Sequence, residues 1–283
     1  MKFTGRMFAA FCFTAILLSV IVVYPDARSQ IRVMSYNIRC LNPDGLDSWH
    51  FRRKHVAGLV EKYDPDLLGL QEAYSSQANY LQKMLPAYDW FGKPRGKWWG
   101  QRNAVFFKRD RFEAVERGVF WLSETPDEPG SRTWDSMFKR TVSFAKLEDK
   151  NTGREILFAN THFDHVSETS RVKSAGLLVE RIGGIARGAP TIIVGDFNCA
   201  DKSEPYKIIT ERFGDSRKLS RTPPLGPVGT FRGFKRGTPP RDRIDFIFVS
   251  DEFEVLEYKT FDDTYKNGGN PSDHLPVTAL LRL

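Results

Sequence analysis

The sequence predicts an α/β fold with two packed mixed β-sheets flanked by helices, a four-layer αββα sandwich. Three observations predict it. Short segments rich in Val, Ile and Phe, each bounded by turn residues, recur along the chain. A few helical patterns are interposed between them, which places helices outside packed sheets. No Ser/Gly-rich linker, low-complexity tract or internal repeat divides the chain, so one domain is expected.

The elements follow in order. "IRVMSYNIRC" starts with alternating apolar residues and reads as a strand running into Asn37. Trp49 to Lys62 has Val56, Leu59 and Val60 at helical spacing, and Asp64-Pro65-Asp66 stops it. "LLGLQE" is a short buried strand ending at Gln71-Glu72, and Ser75 to Leu85 is a second helix. "NAVFFK", "FEAVERGVFWL", "TVSFAKLED" and "EILFANTHFD" read as strands, followed by a helix over Ser170 to Arg187. "PTIIVGDFN", "RIDFIFVS", "FEVLEYKTF" and "LPVTALLRL" complete the strands. Glu124 to Asp135 and Ser220 to Arg243, rich in Pro, Gly and Arg, read as loops.

The first residues have another character. Lys2 and Arg6 precede an apolar run from Met7 to Tyr24, and Ala27-Arg28-Ser29 has the small-x-small spacing of a signal-peptidase site. We expect residues 1–29 to be a signal peptide cut before Gln30, and residues 30–283 to form the catalytic domain. The alternative is an uncleaved membrane anchor, since the run is as long as a short membrane-spanning helix. Cys12 lacks the preceding small residues of a lipoprotein site. The expected product is exported, periplasmic or secreted, monomeric, and without stable membrane insertion. The formal net charge is +7 and is spread along the chain. It suits an anionic substrate and equally an ordinary basic exported protein.

Polar groups gather where strands stop: Asn37, Glu72, Asn160-Thr161-His162, Asp196-Phe197-Asn198 and Ser272-Asp273-His274, with Asp245 inside "RIDFIFV". Each alone has a plain structural explanation, such as a turn residue or a hydrogen-bonded imidazole. Together, "SYNIR", "LGLQE", "NTHFDH", "VGDFN", "RIDFIFVS" and "SDHLPV" resemble the endonuclease/exonuclease/phosphatase superfamily over essentially the whole chain from Ile31. That family has the deoxyribonuclease I-like αββα sandwich.

The resemblance implies a phosphoester hydrolase with Mg²⁺ or Mn²⁺ as cofactor and a residue-by-residue site. Asn37 and Glu72 match the metal amide and carboxylate, hard ligands suited to these ions. Asp196 and Asn198 match the pair that prepares water and contacts phosphate. His274 matches the active-site imidazole, with Asp273 as partner or metal contact. Asp245 matches the group that orients the His274 ring, and His162 a phosphate or leaving-group contact. Asp196 is assigned as base, with His274 as competitor. Substrate contacts are expected from Arg140, Asn103, Trp49 and Arg52, and "GSRTWD" with Trp134 resembles exported bacterial members. His165 is expected to support rather than bind.

Departures narrow the choice. Arg39 stands where abasic-site endonucleases carry Asp, and Asp242 where they have an aromatic. Cys199-Ala200 and Arg241-Asp242-Arg243 replace the inositol polyphosphate 5-phosphatase segments. The expected reaction is hydrolysis of a small, glycan- or lipid-linked phosphodiester by water. A secreted nuclease is the alternative, because "KPRGKWWGQR" interleaves basic residues with two Trp, and a phosphomonoesterase is another. A non-catalytic binding module is disfavoured by the complete set of site residues. Cys40 and Cys199 sit beside two of the motifs, so a disulfide between them and two separate thiols both stay open.

Overall fold

The computed structural model describes residue 1 and residues 29–43, 45–265 and 268–283. The expected signal segment, residues 2–28, lies outside the described residues. Among the described residues, no helix is long and apolar enough to cross a membrane.

The first half of the sandwich contains β1 (Gln30–Asn37), α1 (Trp49–Tyr63), β2 (Leu67–Ala73), α2 (Ser75–Met84), β3 (Tyr88–Phe91) and β4 (Arg102–Lys108). It also takes β11 (Glu254–Thr260) and β12 (Val277–Arg282) from the far end of the chain. The second half holds β5 (Phe112–Trp121), β6 (Thr141–Asp149), β7 (Arg154–His162), α3 (Glu168–Ala186) and β8 (Thr191–Asp196). It is completed by α4 (Glu204–Thr210), β9 (Gly214–Asp215), α5 (Ser216–Leu219) and β10 (Asp245–Val249). The strand orders are β11-β12-β1-β2-β4-β3 and β5-β6-β7-β8-β10-β9. Parallel β1/β2 and β7/β8 among antiparallel neighbours make both sheets mixed, as expected. The short β3, β9, α4 and α5 were not anticipated, because segments of this length show too few turns of any period.

Three apolar clusters define the four layers. Val33, Leu67 and Val105 meet Phe158, Val194 and Ile247 between the sheets. Tyr36, Leu70 and Phe106 pack under Val56 and Val60 of α1 and Leu81 of α2. Phe163, Phe197 and Phe246 pack under Ala175, Leu178 and Ile182 of α3 and Ile209 of α4. Each such side chain contributes about 1.5–3 kcal/mol on burial, so the sandwich is held from the inside and from both flanks.

Register then sets the site. β12 pairs with β1 so that Val277 faces Ser35, and β1 pairs with β2 so that Asn37 faces Gln71. In the other sheet His162 faces Asp196, which faces Asp245. Both rows end at one rim. Close approach there requires glycine: a Cβ on Gly69 would sit 2.3 Å from Val194 Cγ2, and one on Gly195 2.4 Å from the Thr161 carbonyl. Below the rim, Asn160 Nδ2 donates to the Leu70 and Ala104 carbonyls at 2.9 and 2.8 Å, and Gln71 Nε2 donates to Asn160 Oδ1 at 2.7 Å. These buried bonds tie one sheet to the other and hold the rim rigid.

Candidate active site

A cavity of about 530 Å³ opens at this rim, lined by Glu72, His162, Asp196, Asn198, Asp273 and His274 among others. Three non-glycine residues around it have left-handed backbone: Glu72 (φ 63°), Arg39 (φ 56°) and Asn198 (φ 48°). Such conformations cost on the order of 1–3 kcal/mol each and concentrate at functional sites. At Glu72 β2 bulges, and its register with β4 shifts between Leu70 and Ala73. The bulge brings the carboxylate to the Cys40 amide, which donates to Oε2 at 3.0 Å.

His274 stands between two carboxylates. Nδ1 lies 2.9 Å from Asp245 Oδ2, and Nε2 lies 3.7 Å from Asp196 Oδ2. Burial pulls the imidazole pKa down, but Asp245 and Asp196 outweigh it and raise the group well above its ordinary value. His274 is therefore an imidazolium at neutral pH. Asp245 is wholly buried and orients the ring, as the resemblance implies.

Asp196 is raised above the usual carboxylate range by burial first and by Asp245 next. It accepts hydrogen bonds from Asn37 Nδ2 at 3.0 Å and from the Asn198 amide at 3.0 Å. His162 Nε2 is 3.3 Å from its Oδ2, and burial followed by Arg140 holds His162 well below its ordinary pKa, hence neutral. Asn198 Nδ2 donates to the Phe163 carbonyl at 3.0 Å, which fixes the loop after β8.

Glu72 is raised by burial but lowered more by His274, Arg39 and the Cys40 amide, and stays ionised. Asp273 is raised by burial and by Glu72, and lies 3.7 Å from Arg39. Asn37 Nδ2 reaches Glu72 Oε1 at 3.3 Å, while its Oδ1 accepts from the Arg39 amide at 3.0 Å. Its amide nitrogen thus faces the carboxylates, while Oδ1, the oxygen expected to bind metal, accepts from the Arg39 turn with one of its two lone pairs.

The donor chemistry fits a hard divalent cation. Asp196, Asp245 and His274 bring one donor atom each within 4.8 Å of one another. Nδ1 of His274 is already hydrogen-bonded to Asp245 and Nε2 faces Asp196 as an ion pair, however, so this trio is better understood as a charge-paired imidazole than as a metal site. Glu72 and Asp273 line the same cavity, two oxygen donors whose mutual repulsion a cation relieves.

Arg140 reaches the site: it lines the cavity and lies 3.7 Å from Asp164. His165, expected only to support, also lines the cavity, with Nδ1 3.2 Å from Arg140 Nη2. Arg39, Arg95, Tyr74, Phe138 and Phe231 line it as well. Arg95 was present in the basic aromatic strip, but nothing in its spacing placed it beside Glu72. Phe231 comes from the long loop and packs on His274 with ring centroids 5.0 Å apart.

Several expected contacts are corrected. Trp49 is buried in the α1 core, edge-on to Tyr80 at 5.9 Å, away from the cavity. Arg52 is fully buried and donates to the carbonyls of Ile38 at 3.0 Å and Pro271 at 2.6 Å. It ties the end of β1 to the His274 turn rather than touching substrate. Asn103 donates to the Thr141 carbonyl at 2.6 Å and lines only a narrow recess behind Glu72 and His162. Cys40 and Cys199 are two free buried thiols. Cys40 lines the cavity beside Glu72, whereas Cys199 packs into the cluster under α3, so no bridge joins them.

Comparison with known proteins gives a consistent result. The model of the Endonuclease/Exonuclease/phosphatase family matches residues 34–274. An endonuclease/exonuclease/phosphatase family protein from Bacteroides thetaiotaomicron is 36% identical with a TM-score of 0.86, covering 89% of this chain and 97% of that one. The mannosyl-6-phosphatase of Bacteroides thetaiotaomicron VPI-5482 is 35% identical with a TM-score of 0.86, covering 89% of this chain and 100% of that one. The CCR4-Not complex 3'-5'-exoribonuclease subunit Ccr4 of Saccharomyces cerevisiae is 26% identical over 89% of this chain but only 39% of its own length.

Proposed function

This chain belongs to the endonuclease/exonuclease/phosphatase family, and from that premise we propose that it hydrolyses a phosphate monoester carried by a small sugar, with a divalent cation as cofactor. The observation that carries the monoester reading is the set of guanidiniums Arg39, Arg95 and Arg140 lining the same cavity as the buried histidines. A monoester dianion needs more positive charge around its oxygens than a singly charged diester. The similarity to a mannosyl-6-phosphatase supports a sugar phosphate. The small phosphodiester expected from the sequence is the second reading. It is favoured by a groove that adjoins the cavity through Tyr74, Arg95 and Phe138 and leaves room for a second ester substituent.

In this mechanism Asp196 takes the proton of the attacking water, because burial lifts its basicity toward neutral pH. His274, already protonated between Asp245 and Asp196, cannot be that base. It donates a hydrogen bond to a phosphoryl oxygen as charge gathers there. Asn198 and neutral His162 flank the same position, and Arg140 closes the side toward β6. Glu72 and Asp273 would hold Mg²⁺ or Mn²⁺, which when bound neutralises charge on the phosphoryl oxygens. We further propose that the chain acts outside the cytoplasm, on the strength of the Met7–Tyr24 run and the small residues that follow it.

The test offers purified protein mannose 6-phosphate, p-nitrophenyl phosphate, bis-p-nitrophenyl phosphate and plasmid DNA, with Mg²⁺ or with EDTA. Metal-dependent turnover of the monoesters in preference to the diesters is expected. Preference for the small diester would replace the monoester reading, preference for DNA would promote the nuclease, and no turnover would remove the hydrolase.

A further inference from the structure

Beside the catalytic cavity lies a groove of about 470 Å³ that the chemistry above does not use. Its lining carries Arg95, Lys97, Arg132 and Lys139 and, among the described residues, no carboxylate. Trp98 and Trp99 stand on its edge with 80% and 78% of their surface exposed. A large apolar ring left in water loses the stabilisation that burial would provide, and two adjacent ones form a surface that a flat ligand can cover. The groove shares Tyr74, Arg95 and Phe138 with the cavity, so it begins where a leaving group would emerge.

The length of ligand is bounded on one side. The loop over residues 124–135 packs against the Trp-bearing loop, since a Cβ on Gly130 would lie 3.1 Å from the Lys97 amide nitrogen and 3.4 Å from Lys139 Nζ. This loop exposes Glu124, Glu128 and Asp135. A polyanion that extended over this loop would be repelled by these carboxylates. A single further anion would meet Lys97 and Lys139 instead, and a flat sugar face would cover the indoles.

We infer that this groove is a leaving-group subsite for a saccharide ring bearing a second anionic group. The inference rests on the sugar-phosphate reading of the catalytic site and adds the class of leaving group to it. A nucleic-acid strand also stacks on aromatics between cations, but the acidic loop disfavours its length.

Trp98→Ala/Trp99→Ala and Lys97→Ser/Lys139→Ser variants test it with glycerol 2-phosphate, which has no ring, with glucose 1,6-bisphosphate, and with 5′-phosphorylated tetrathymidylate. Both variants are expected to keep kcat/KM for glycerol 2-phosphate within about twofold. Both should lose about tenfold or more on the bisphosphate, mainly through KM, about the size of effect of one lost aromatic contact or one lost charge-assisted hydrogen bond. Titration with the bisphosphate should change the tryptophan fluorescence of the wild type and not of the Trp98→Ala/Trp99→Ala variant. Equal losses on both sugarless and sugar substrates, no loss on the bisphosphate, or a larger KM effect on the tetranucleotide would overturn the subsite. A wild type inert toward every substrate would remove the hydrolase reading alone, because the fluorescence titration still decides whether the groove binds.

Discussion

The cavity floor and the neighbouring groove face the same solvent opening but are built in opposite ways. Floor residues Asn37, His162, Asp196, Asp245, Asp273 and His274 are all buried, and they sit at strand ends or on the turn before β12. Asn37, Asp196, Asp245 and His274 hold one another at set distances, and the backbone is strained at Glu72 and Asn198 to aim the site. The groove is loop-borne, its Trp98 and Trp99 are exposed, and its cations face no acid in the lining. Chemistry that needs positions good to a few tenths of an ångström occupies the rigid part of the fold. Recognition that only needs area and charge occupies the part free to vary.

This contrast can be broken by substitution. Glu72→Gln and His274→Ala should each cost about 10³-fold or more in kcat, since a charge-stabilising group at the reacting centre is worth that much. Circular dichroism should show both variants folded, although His274→Ala should melt earlier because Asp245 is left buried without its partner, and full activity in both would show that the floor is misplaced. Asp245→Asn should cost about 10–100-fold, the usual effect of losing an orienting partner. It should also move the alkaline limb of the pH–rate profile. Activity needs Asp196 unprotonated and His274 protonated, and both groups are raised. The acid limb therefore follows Asp196 and the alkaline limb His274. Without Asp245 the imidazole loses its main proton-holding neighbour, so the alkaline limb should shift to lower pH. An unshifted limb would mean that another group sets it.

Arg52→Met probes the support beneath the floor. The guanidinium bonds to the Ile38 and Pro271 carbonyls, and losing those buried charged bonds should cost about 3 kcal/mol in denaturant unfolding. Its kcat should fall with KM little changed, because the His274 turn is loosened while the groove is untouched. The smallest effect is expected from Trp49→Phe, about 1 kcal/mol of stability with unchanged kinetic constants, as for a volume-tolerant core exchange. A raised KM in this variant would return Trp49 to the substrate contacts.

The chain determined by itself where the strands and main helices lie, because apolar periodicity and turn residues report burial locally. It also displayed the floor, since Asn37, Glu72, Asp196, Asp245 and His274 are polar groups at strand ends or inside apolar runs, where burial needs a reason. Short elements such as β3 and α5 escaped because they lack periods to read. Trp49 and Arg52 were misjudged as substrate contacts for a different reason. Indole and guanidinium suit a core or a ligand equally, and only packing selects one. The pairing of β12 with β1, the meeting of both sheets at Gly69 and Gly195, and the return of Phe231 to His274 join residues far apart in sequence. No local pattern encodes such contacts. Tertiary structure alone decided which aromatic and basic residues face the reacting phosphate and which hold the walls around it.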